Sequence, residues 1–178
     1  MLGISSGLIY ANWIMACPEI GDTYQGGLVF YLDPTGCGGL IAAPSDQSTS
    51  AEWGCVGDAI TGTGTTVGTG AQNTIDILAG CSESGIAAKI CDDLSLNGYD
   101  DWFLPSRDAL DLIYHNLQQN GLGGFLTTGA TAYYWSSSEH DADKGKAMWI
   151  GSGGPSHNHL GASGDKDNNW RVRAIRAF

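Results

Sequence analysis

The chain has 178 residues, of which 42% are hydrophobic and 15% are charged; these values exclude a disordered tail or a coiled coil and allow one domain with a sizeable core. Glycine accounts for 27 residues, roughly twice its usual share of about 7%, which indicates many turns on a rigid scaffold. The formal net charge of −11 argues against nucleic acids and anionic lipids as partners, because such a surface repels both.

An uncharged, largely apolar segment covers residues 1–16. It is either the remnant of a signal peptide, although the basic n-region of one is missing, or a segment that docks onto the domain or onto a neighbouring subunit, which we favour. It is too short and too interrupted for a membrane span. Ile14-Met15-Ala16-Cys17 resembles a loose lipobox, in which a lipid on Cys17 would link the chain to a membrane. We therefore divide the chain into an apolar segment, 1–19, and one folded domain, 20–178, and expect a homo-oligomer.

Five cysteines are present, and none of them lies in a C-x-x-C motif of the kind that zinc ribbons and thioredoxin-like sites use. We predict two disulfides formed in an oxidising compartment, with Cys37 and Cys55 closing one loop and Cys81 and Cys91 closing a shorter one. Cys17 is then left over, as an unpaired or a modified thiol. The alternative is a cytoplasmic protein with buried, reduced thiols.

Strand and turn signals dominate the first part of the chain. Leu28-Val29-Phe30-Tyr31-Leu32 and Leu40-Ile41-Ala42-Ala43 predict the two strands of a hairpin, joined through the turn residues Asp33-Pro34-Thr35-Gly36. Residues 44–72 are rich in Ser, Thr and Gly, with Trp53 as the one large apolar anchor. We expect a long loop there, closed by the first of the predicted disulfides.

Helical patterns follow in the middle of the chain. The first helix is predicted over residues 73–79, and a second begins near Ser84. The apolar face of the second helix consists of Ile86, Ile90 and Leu94. After a short buried strand at residues 101–104, Ser106 is the predicted N-cap of a strong helix that ends at Asn120-Gly121. The apolar stripe of that helix consists of Leu110, Ile113, Tyr114 and Leu117.

The last third of the chain is predicted to form strands and loops. Tyr133–Ser138 and Lys146–Ile150 are strand candidates, because they are rich in aromatic and other β-prone residues. Residues 151–169 are small, polar and glycine-rich, which predicts a loop. Arg171–Phe178 is predicted to be the final strand, held by pairing within the sheet, since a free terminal strand would fray.

Seven segments of the chain, taken in order, resemble one family of surface domains. They are Ile20–Asp33, Gly39–Ser48, Trp53–Gly54, Ala87–Leu94, Asn97–Leu110 (NGYDDWFLPSRDAL), Tyr133–Glu139 and Arg171–Phe178 (RVRAIRAF). The family is the Lcl C-terminal domain family, named for a collagen-like bacterial adhesin and found in bacterial and phage surface proteins. The resemblance implies a C-type-lectin-like α+β fold, with a small, twisted, mainly antiparallel sheet, two main helices and long loops. It also implies a secreted or cell-surface protein that serves adhesion or ligand recognition, with a phage tail or receptor-binding component as the alternative.

Some members of this family resemble the variable proteins of diversity-generating retroelements, in which a loop is hypermutated while the scaffold stays fixed. In those relatives the hypervariable stretch lies just before the closing strand, which corresponds here to Trp149–Trp170. Most residue types in this stretch are reachable by mutating adenines in Asn codons. Lys166 and the tryptophans are not, so they would be scaffold positions or positions that are not selected. We hypothesise that the stretch is a diversified recognition loop.

The resemblance and the loop composition together place ligand recognition on loops 139–145 and 151–170. Aromatic side chains at such a surface supply rigid contact area. The residues that we predict to contact a ligand are Trp149, Ser152, His157, Asn158, His159, Asp165, Asn168 and Trp170. The predicted function is non-catalytic recognition of a protein or glycan ligand on a cell surface. The alternative is a structural subunit of an extracellular assembly, a filament or a trimeric adhesin, docked through the apolar N-terminus.

Three other residues near the C-terminus fit the scaffold better than the ligand face. Trp135, inside the strand-like YYWSSS segment, is expected in the core. Arg171 and Arg173 are expected to bond loop carbonyls or to pair with acids such as Asp100 and Asp101, rather than to contact a ligand.

The sequence offers ligands for two kinds of metal site, and neither is predicted. His157 and His159 would face one side of a strand, as zinc ligands can, but no third ligand is fixed by spacing, so we expect exposed histidines in a recognition loop. Four aspartates offer oxygen ligands for calcium: Asp141, Asp143, Asp165 and Asp167. The sequence motifs of calcium-dependent sugar-binding lectins are absent. We predict no cofactor, with a structural calcium as the alternative.

No catalytic motif is recognised in the sequence. The formylglycine-generating enzymes, which share the expected fold, need a cysteine pair late in the chain, and no cysteine follows Cys91. Ser136-Ser137-Ser138 lies close to His140, but residues so near in sequence rarely form a nucleophile and its base, and no G-x-S-x-G motif accompanies them. We therefore predict that the chain is not an enzyme.

Overall fold

The computed structural model of the chain describes residues 17–127, 132–151 and 162–178. These residues form an α+β fold with two β-sheets and few helices. The strands are β1 (Thr23–Tyr24), β2 (Gly27–Leu32), β3 (Gly39–Ala42), β4 (Ser48–Ala51), β5 (Tyr133–Glu139), β6 (Lys144–Trp149), β7 (Ser163–Asp165), β8 (Trp170–Val172) and β9 (Ile175–Ala177). The helices are α1 (Gly70–Gly80), α2 (Ala87–Asp92) and α3 (Arg107–Asn116), and a 3-10 turn follows at Gln118–Asn120. None of the described helices has the length and apolar character that crossing a membrane requires.

A four-stranded sheet, in the order β1-β2-β3-β9, contains the predicted hairpin. β2 pairs antiparallel with β3, with Val29 opposite Ile41, which confirms the hairpin expected over residues 28–43. The turn is fixed by the carboxylate of Asp33, which accepts a hydrogen bond from the N–H of Thr35 at 2.9 Å. β9 pairs antiparallel with β3, so the C-terminus is held inside a sheet, as expected.

A five-stranded sheet, in the order β4-β8-β5-β6-β7, contains most of the C-terminal half. β5 and β6 confirm the strands predicted at Tyr133–Ser138 and Lys146–Ile150, with small differences at the ends. The expectation of one small sheet closed by a single strand at Arg171–Phe178 is wrong. That segment divides into β8, which runs parallel to β5, and β9, which belongs to the other sheet. The chain changes sheets at Arg173-Ala174, where the carbonyl of Ala174 accepts from Ala43 N at 2.9 Å.

The edge strands β4 and β7 lie in segments that were predicted to be loops. Their sequences, STSA and SGD, contain small residues that carry little β-propensity. They are strands because their neighbours align them: Ala51 lies opposite Trp170 across β4 and β8, and Gly164 lies opposite Gly145 across β6 and β7. Such pairing is a tertiary effect that the local sequence does not reveal.

The described residues contain three α-helices, in the three regions where the sequence predicted helical segments. The resemblance implied two main helices, and α2 is only six residues long. α3 begins as predicted, because the Ser106 hydroxyl accepts from Ala109 N at 3.4 Å, and Leu110 and Ile113 of its stripe are fully buried. The core forms two clusters of buried side chains. Helices α1 and α2 pack into the cluster that contains Trp53 and Trp135, and α3 packs into the other. The burial of Trp135 confirms its predicted place in the core.

The number of disulfides agrees with the prediction, but their pairing does not. Cys17 is bonded to Cys37 and Cys55 is bonded to Cys81, so the predicted pairs Cys37–Cys55 and Cys81–Cys91 are wrong. The hairpin holds Cys37 at its exposed tip, where the start of the described chain reaches it. Cys55 instead faces Cys81, the residue that directly follows α1. Two disulfides indicate folding in an oxidising environment.

Cys91 is the free cysteine of the described chain. It lies on the inner face of α2 and is fully buried, and this burial raises the pKa of its thiol. Cys91 therefore behaves as a small apolar core residue. Cys17, which was expected to be unpaired or modified, has its sulfur in a disulfide, so in this state it does not carry a lipid.

Candidate ligand-binding face

The structure places four of the eight predicted ligand residues. Trp149 ends β6, Trp170 begins β8, Asp165 ends β7 and Asn168 lies in the turn that follows. The backbone N–H of Asn168 donates to Asp165 O at 2.8 Å and closes that turn. The other predicted residues lie outside the described part of the chain: Ser152, His157, Asn158 and His159.

The two tryptophans are brought together through a residue that the sequence analysis missed. Tyr133, the first residue of β5, lies directly opposite Trp149 across the β5–β6 pair. Its ring stacks on Trp170, with centroids 4.7 Å apart and an interplanar angle of 20°. All three residues are partly buried. We call Tyr133, Trp149 and Trp170 the aromatic face.

This face continues into the core. The Trp170 ring also packs on Trp135, at 4.2 Å between centroids, and the Trp135 indole N–H donates to Ala51 O at 2.8 Å. The alternation of β5 puts residues 133 and 135 on the same side of the strand, which was the sequence signal that could have identified Tyr133. Because Trp135 is fixed by its hydrogen bond, Trp170 rests on a rigid support.

Glycines allow the indole rings to lie against the backbone. A Cβ atom at Gly164 would overlap the Trp170 ring, and one at Gly151 would overlap the Trp149 ring. At Gly145, a Cβ atom would lie 2.6 Å from Trp53 Cδ1. None of these glycines has a positive φ, so close approach explains them better than backbone conformation. Part of the high glycine content therefore serves the placement of tryptophans.

Asp165 lies at the other end of β6 from Trp149. It is exposed and forms an ion pair with Lys144, the residue that faces it across β6 and β7. Trp170, in contrast, lies against Gly164, the residue before Asp165, because a Cβ atom at Gly164 would overlap its ring. The turn with Asp165 and Asn168 therefore adjoins the Trp170 side of the aromatic face, while Trp149 lies at the other end of β6.

A buried lysine fastens this turn to the scaffold. Lys166 is 0% exposed, and its Nζ donates to Asp58 O and to Glu139 Oε1, both at 2.6 Å. The same ammonium lies 4.6 Å from the centroid of the Trp53 ring, a cation–π contact. Glu139 Oε1 also accepts from the N–H of Ile60 at 2.9 Å. This burial agrees with the assignment of Lys166 to the scaffold.

The backbone of Lys166 joins the two edges of the five-stranded sheet. Its N–H donates to Asp143 O at 2.9 Å, and its carbonyl accepts from Trp53 N at 2.9 Å and Gly54 N at 3.1 Å. Lys166 follows β7 and Trp53 follows β4, so the sheet curls until its edge strands approach each other. The loop of residues 139–145 and the turn after β7 are therefore parts of one rigid corner.

Arg171 and Arg173 stabilise the fold, as expected, but they pair with Asp46 rather than with the predicted acids. Asp46 accepts from Arg173 Nε at 2.8 Å through Oδ1, and from Arg171 at 2.8 Å and the Tyr134 hydroxyl at 3.0 Å through Oδ2. Arg173 also donates to Ala43 O at 3.0 Å. Burial raises the pKa of Tyr134, which keeps its hydroxyl neutral.

The predicted partners of Arg171 and Arg173, Asp100 and Asp101, are wrong. Asp101 pairs instead with Arg176, whose guanidinium also lies 3.8 Å from the centroid of the Tyr99 ring. The change of sheet between β8 and β9 turns the first two arginines towards the segment after β3. A single continuous strand, as predicted, would have kept Arg171, Arg173 and Arg176 in one strand of one sheet.

Ser136, Ser137 and Ser138 form hydrogen bonds that hold the fold together. All three serines are fully buried: Ser136 Oγ donates to Lys146 O at 2.8 Å, Ser138 Oγ donates to Gly64 O at 2.7 Å, and Ser137 Oγ accepts from Asn73 Nδ2 at 3.0 Å. The Ser138 bond attaches the Gly/Thr-rich loop before α1 to β5, the Ser137 bond attaches α1, and the Ser136 bond joins β5 to β6.

His140 is exposed, away from the hydroxyls of that triplet. Its Nδ1 lies 2.8 Å from Asp141 Oδ2. This hydrogen bond lowers the pKa of Asp141. The arrangement therefore places no serine hydroxyl next to a histidine base.

Metal ligands converge at one place in the described residues, and it is not a predicted one. Cys55, Cys81 and Glu83 form a compact group, whereas the described aspartates considered for calcium form no group of three with convergent ligand atoms. The histidine pair considered for zinc, His157 and His159, lies outside the described residues. The aspartate-rich loops are thus organised by hydrogen bonds and by the Lys144–Asp165 ion pair.

No protein-family model and no curated protein matches the chain. The resemblance to the Lcl C-terminal domain family therefore stays a prediction carried by the sequence segments quoted above. The α+β architecture with two sheets is compatible with the fold that this resemblance implies.

Proposed function

We propose that the chain is a non-catalytic, C-type-lectin-like recognition domain that binds a protein or glycan ligand through its aromatic face and the neighbouring C-terminal loop. The observation that carries the proposal is the placement of Tyr133, Trp149 and Trp170 at one end of the five-stranded sheet. Partly buried aromatic rings on a rigid support are the residue type that dominates binding energy at interfaces.

The described residues on either side of positions 152–161 support this role. Trp149 and Gly151 precede them at the end of β6, and Ala162, whose carbonyl accepts from Ala147 N at 3.0 Å, follows them. Both flanks are thus joined to strands of one sheet. A scaffold whose stability resides in buried strands tolerates sequence changes in the segment that connects them, as the proposed diversified recognition loop requires.

The proposed setting is the cell surface or the extracellular space, with a phage receptor-binding component as the alternative. Two disulfides support it, because they persist in oxidising compartments. The net charge of −11 and the pairing of Arg171 and Arg173 with Asp46 argue against a polyanionic ligand. We therefore favour a neutral glycan or a protein surface.

The test is binding of the purified chain to an array of neutral, acidic and sulfated glycans and to a panel of immobilised cell-surface proteins. We expect a specific interaction that Trp149→Ala weakens by about 30-fold, which corresponds to about 2 kcal/mol for a central aromatic contact. Trp170→Phe should weaken it less, because the phenyl ring retains part of the stack on Tyr133.

The matched control is Tyr31→Ala, since Tyr31 is a partly buried aromatic residue of the other sheet. It should leave binding unchanged, and circular dichroism should show all variants folded. Binding that is lost in the control but kept in Trp149→Ala would contradict the proposal. A chain that binds no probe and instead forms a stable filament or trimer would favour the assembly alternative.

A further inference from the structure

Cys55, Cys81 and Glu83 form a group of metal-ligating side chains far in sequence from the aromatic face. Their two Sγ atoms and one carboxylate oxygen all lie within 4.8 Å of one another. In the described part of the chain this is the one group of three or more His, Cys, Asp or Glu side chains with that spacing. The sulfurs are joined as a disulfide, so the group has an oxidised and a reduced chemical state.

The backbone holds the Glu83 carboxylate against the two sulfurs. Glu83 Oε2 accepts a hydrogen bond from the N–H of Cys55 at 2.9 Å. Gly54, with φ +99°, permits this approach, because a Cβ atom there would lie 3.2 Å from both Cys81 Sγ and Glu83 Oε2. No Lys, Arg or His of the described residues forms an ion pair with Glu83. Its negative charge is therefore available to a cation.

A cavity of about 480 Å³ opens beside the group and is lined by both Cys81 and Glu83. It gives water access to the position that a fourth ligand would occupy. The one cation on its wall, Lys89, is paired with Asp92 and Asp93, so it does not oppose a bound metal ion. Three protein ligands with an open fourth position are a common arrangement for zinc.

We propose that reduction of the Cys55–Cys81 disulfide converts this group into a zinc site formed by two thiolates, the Glu83 carboxylate and one water molecule. A dithiol reductant supplies two electrons and two protons: the S–S bond breaks, two thiols form, and the reductant leaves as its own disulfide. One Zn²⁺ then displaces the two thiol protons and forms two Zn–S bonds and one Zn–O bond. The sulfurs move apart to about 3.8 Å, as Zn–S bonds of about 2.3 Å at tetrahedral angles require.

The site would act before the disulfide closes. In a reducing compartment, zinc holds Cys55 and Cys81 side by side and keeps both thiols from pairing with another cysteine of the chain. An oxidant of the disulfide class then accepts two electrons and two protons from solvent and leaves as a dithiol, while the two thiolates form the native S–S bond and Zn²⁺ is released. Thiolate ligands favour zinc, whereas carboxylates favour calcium and magnesium, so the exposed carboxylates elsewhere on this acidic chain compete only weakly for zinc.

The experiment uses the full chain with Cys17→Ser and Cys37→Ser, so that Cys55, Cys81 and Cys91 are the cysteines present. The protein is reduced without oxygen and titrated with Zn²⁺ against a chromophoric chelator, and Co²⁺ serves as a spectroscopic probe through its thiolate charge-transfer absorption. We expect one Zn²⁺ per reduced chain, bound at least about 100-fold more tightly than by the oxidised chain.

Variants separate the site from general thiol binding. Cys81→Ser should abolish tight binding and the thiolate absorption, and Glu83→Gln should weaken zinc binding by about tenfold or more. Two controls should leave binding unchanged: Cys91→Ala, because that thiol is buried elsewhere in the core, and Glu19→Gln, because that carboxylate is exposed and distant in sequence.

Three results would overturn the proposal. One is equal zinc affinity in the reduced and oxidised chains, and a second is zinc binding that survives Cys81→Ser. The third is a reduced chain whose near-UV circular dichroism, which reports its buried tryptophans, is lost and does not return with zinc. Since Glu83 is exposed, Glu83→Gln should fold in any case and keeps the carboxylate ligand testable.

Discussion

Replacement of Lys166 by Met should destabilise the chain by about 3–4 kcal/mol. Methionine keeps most of the buried stem but removes the ammonium, which donates to Asp58 O and Glu139 Oε1 and lies over Trp53. The side chains of Lys166 and Glu139 are 0% and 11% exposed, so the variant leaves a nearly buried carboxylate without its partner. Removing one member of such a pair typically costs about 3–5 kcal/mol.

A second substitution tests whether the uncompensated charge is the cause. Lys166→Met combined with Glu139→Gln removes the charge but keeps an oxygen that accepts from Ile60 N. The double variant should recover about 1.5 kcal/mol or more of the lost stability, because a neutral amide costs less to bury than an unpaired carboxylate. A control, Lys144→Met, removes an exposed ion pair with Asp165 and should change stability little.

The assay is equilibrium unfolding in urea, followed by tryptophan fluorescence, since Trp53 lies under the ammonium. Free energies of unfolding should be compared at pH 7 between variants whose free energy depends on urea concentration with the same slope. A loss of less than about 1 kcal/mol in Lys166→Met would show that water or a rearranged side chain replaces the ammonium, against its 0% exposure and the burial argument. A double variant no more stable than the single one would refute the role assigned to the carboxylate charge.

Three further predictions concern other parts of the fold. Burial raises the pKa of Tyr134 above its ordinary value of 10.0, so the stability that the neutral hydroxyl contributes is fully present below pH 10 and is lost as the pH rises through the pKa of the folded state. Tyr134→Phe should lower the free energy of unfolding at pH 7 by about 1 kcal/mol but should make the loss of stability at alkaline pH less steep, as thermal unfolding from pH 7 to alkaline pH would show. Gly164→Ala should cost about 2 kcal/mol, because the added Cβ overlaps the Trp170 ring, and unchanged urea unfolding would contradict that packing. The Cys17–Cys37 disulfide, whose two residues are exposed, should be reduced before the buried one, which alkylation and peptide mass spectrometry would detect.

The β2–β3 hairpin and the start of α3 could be predicted from the sequence because their causes are local. A β-prone run, a turn with Pro and Gly and a second β-prone run lie within 16 residues at 28–43, so the pairing of the two strands follows from the turn, although the register shift between Val29 and Tyr31 does not. At Ser106, one hydroxyl caps a helix whose stripe contains Leu110 and Ile113. Neither feature needs information from a distant part of the chain.

The candidate face could be predicted only in part. Trp149 and Trp170 were identified because they border a small, polar loop, but Tyr133 was missed because its stacking partner is 37 residues away in sequence. Asp165 lies at the other end of β6 from Trp149 because its antiparallel partner is Lys144, while Gly164 beside it packs against the Trp170 ring. Neither neighbour could be predicted from distance along the sequence.

The sequence by itself determined the class of secondary structure along most of the chain, the buried apolar stripe of α3 and the number of disulfides. In α2, by contrast, Ala87, Ala88 and Cys91 are buried, whereas Ile90 and Leu94 of the predicted face are only partly buried. The tertiary structure decided which cysteines pair, that the last eight residues serve two sheets, that Asp46 binds Arg171 and Arg173, and that Lys166 is fully buried. The physical reason is the range of the interactions. Propensity, capping and turn chemistry act over a few residues, whereas Asp46 and Arg173 are 127 residues apart, and only the packing of the whole chain brings them together.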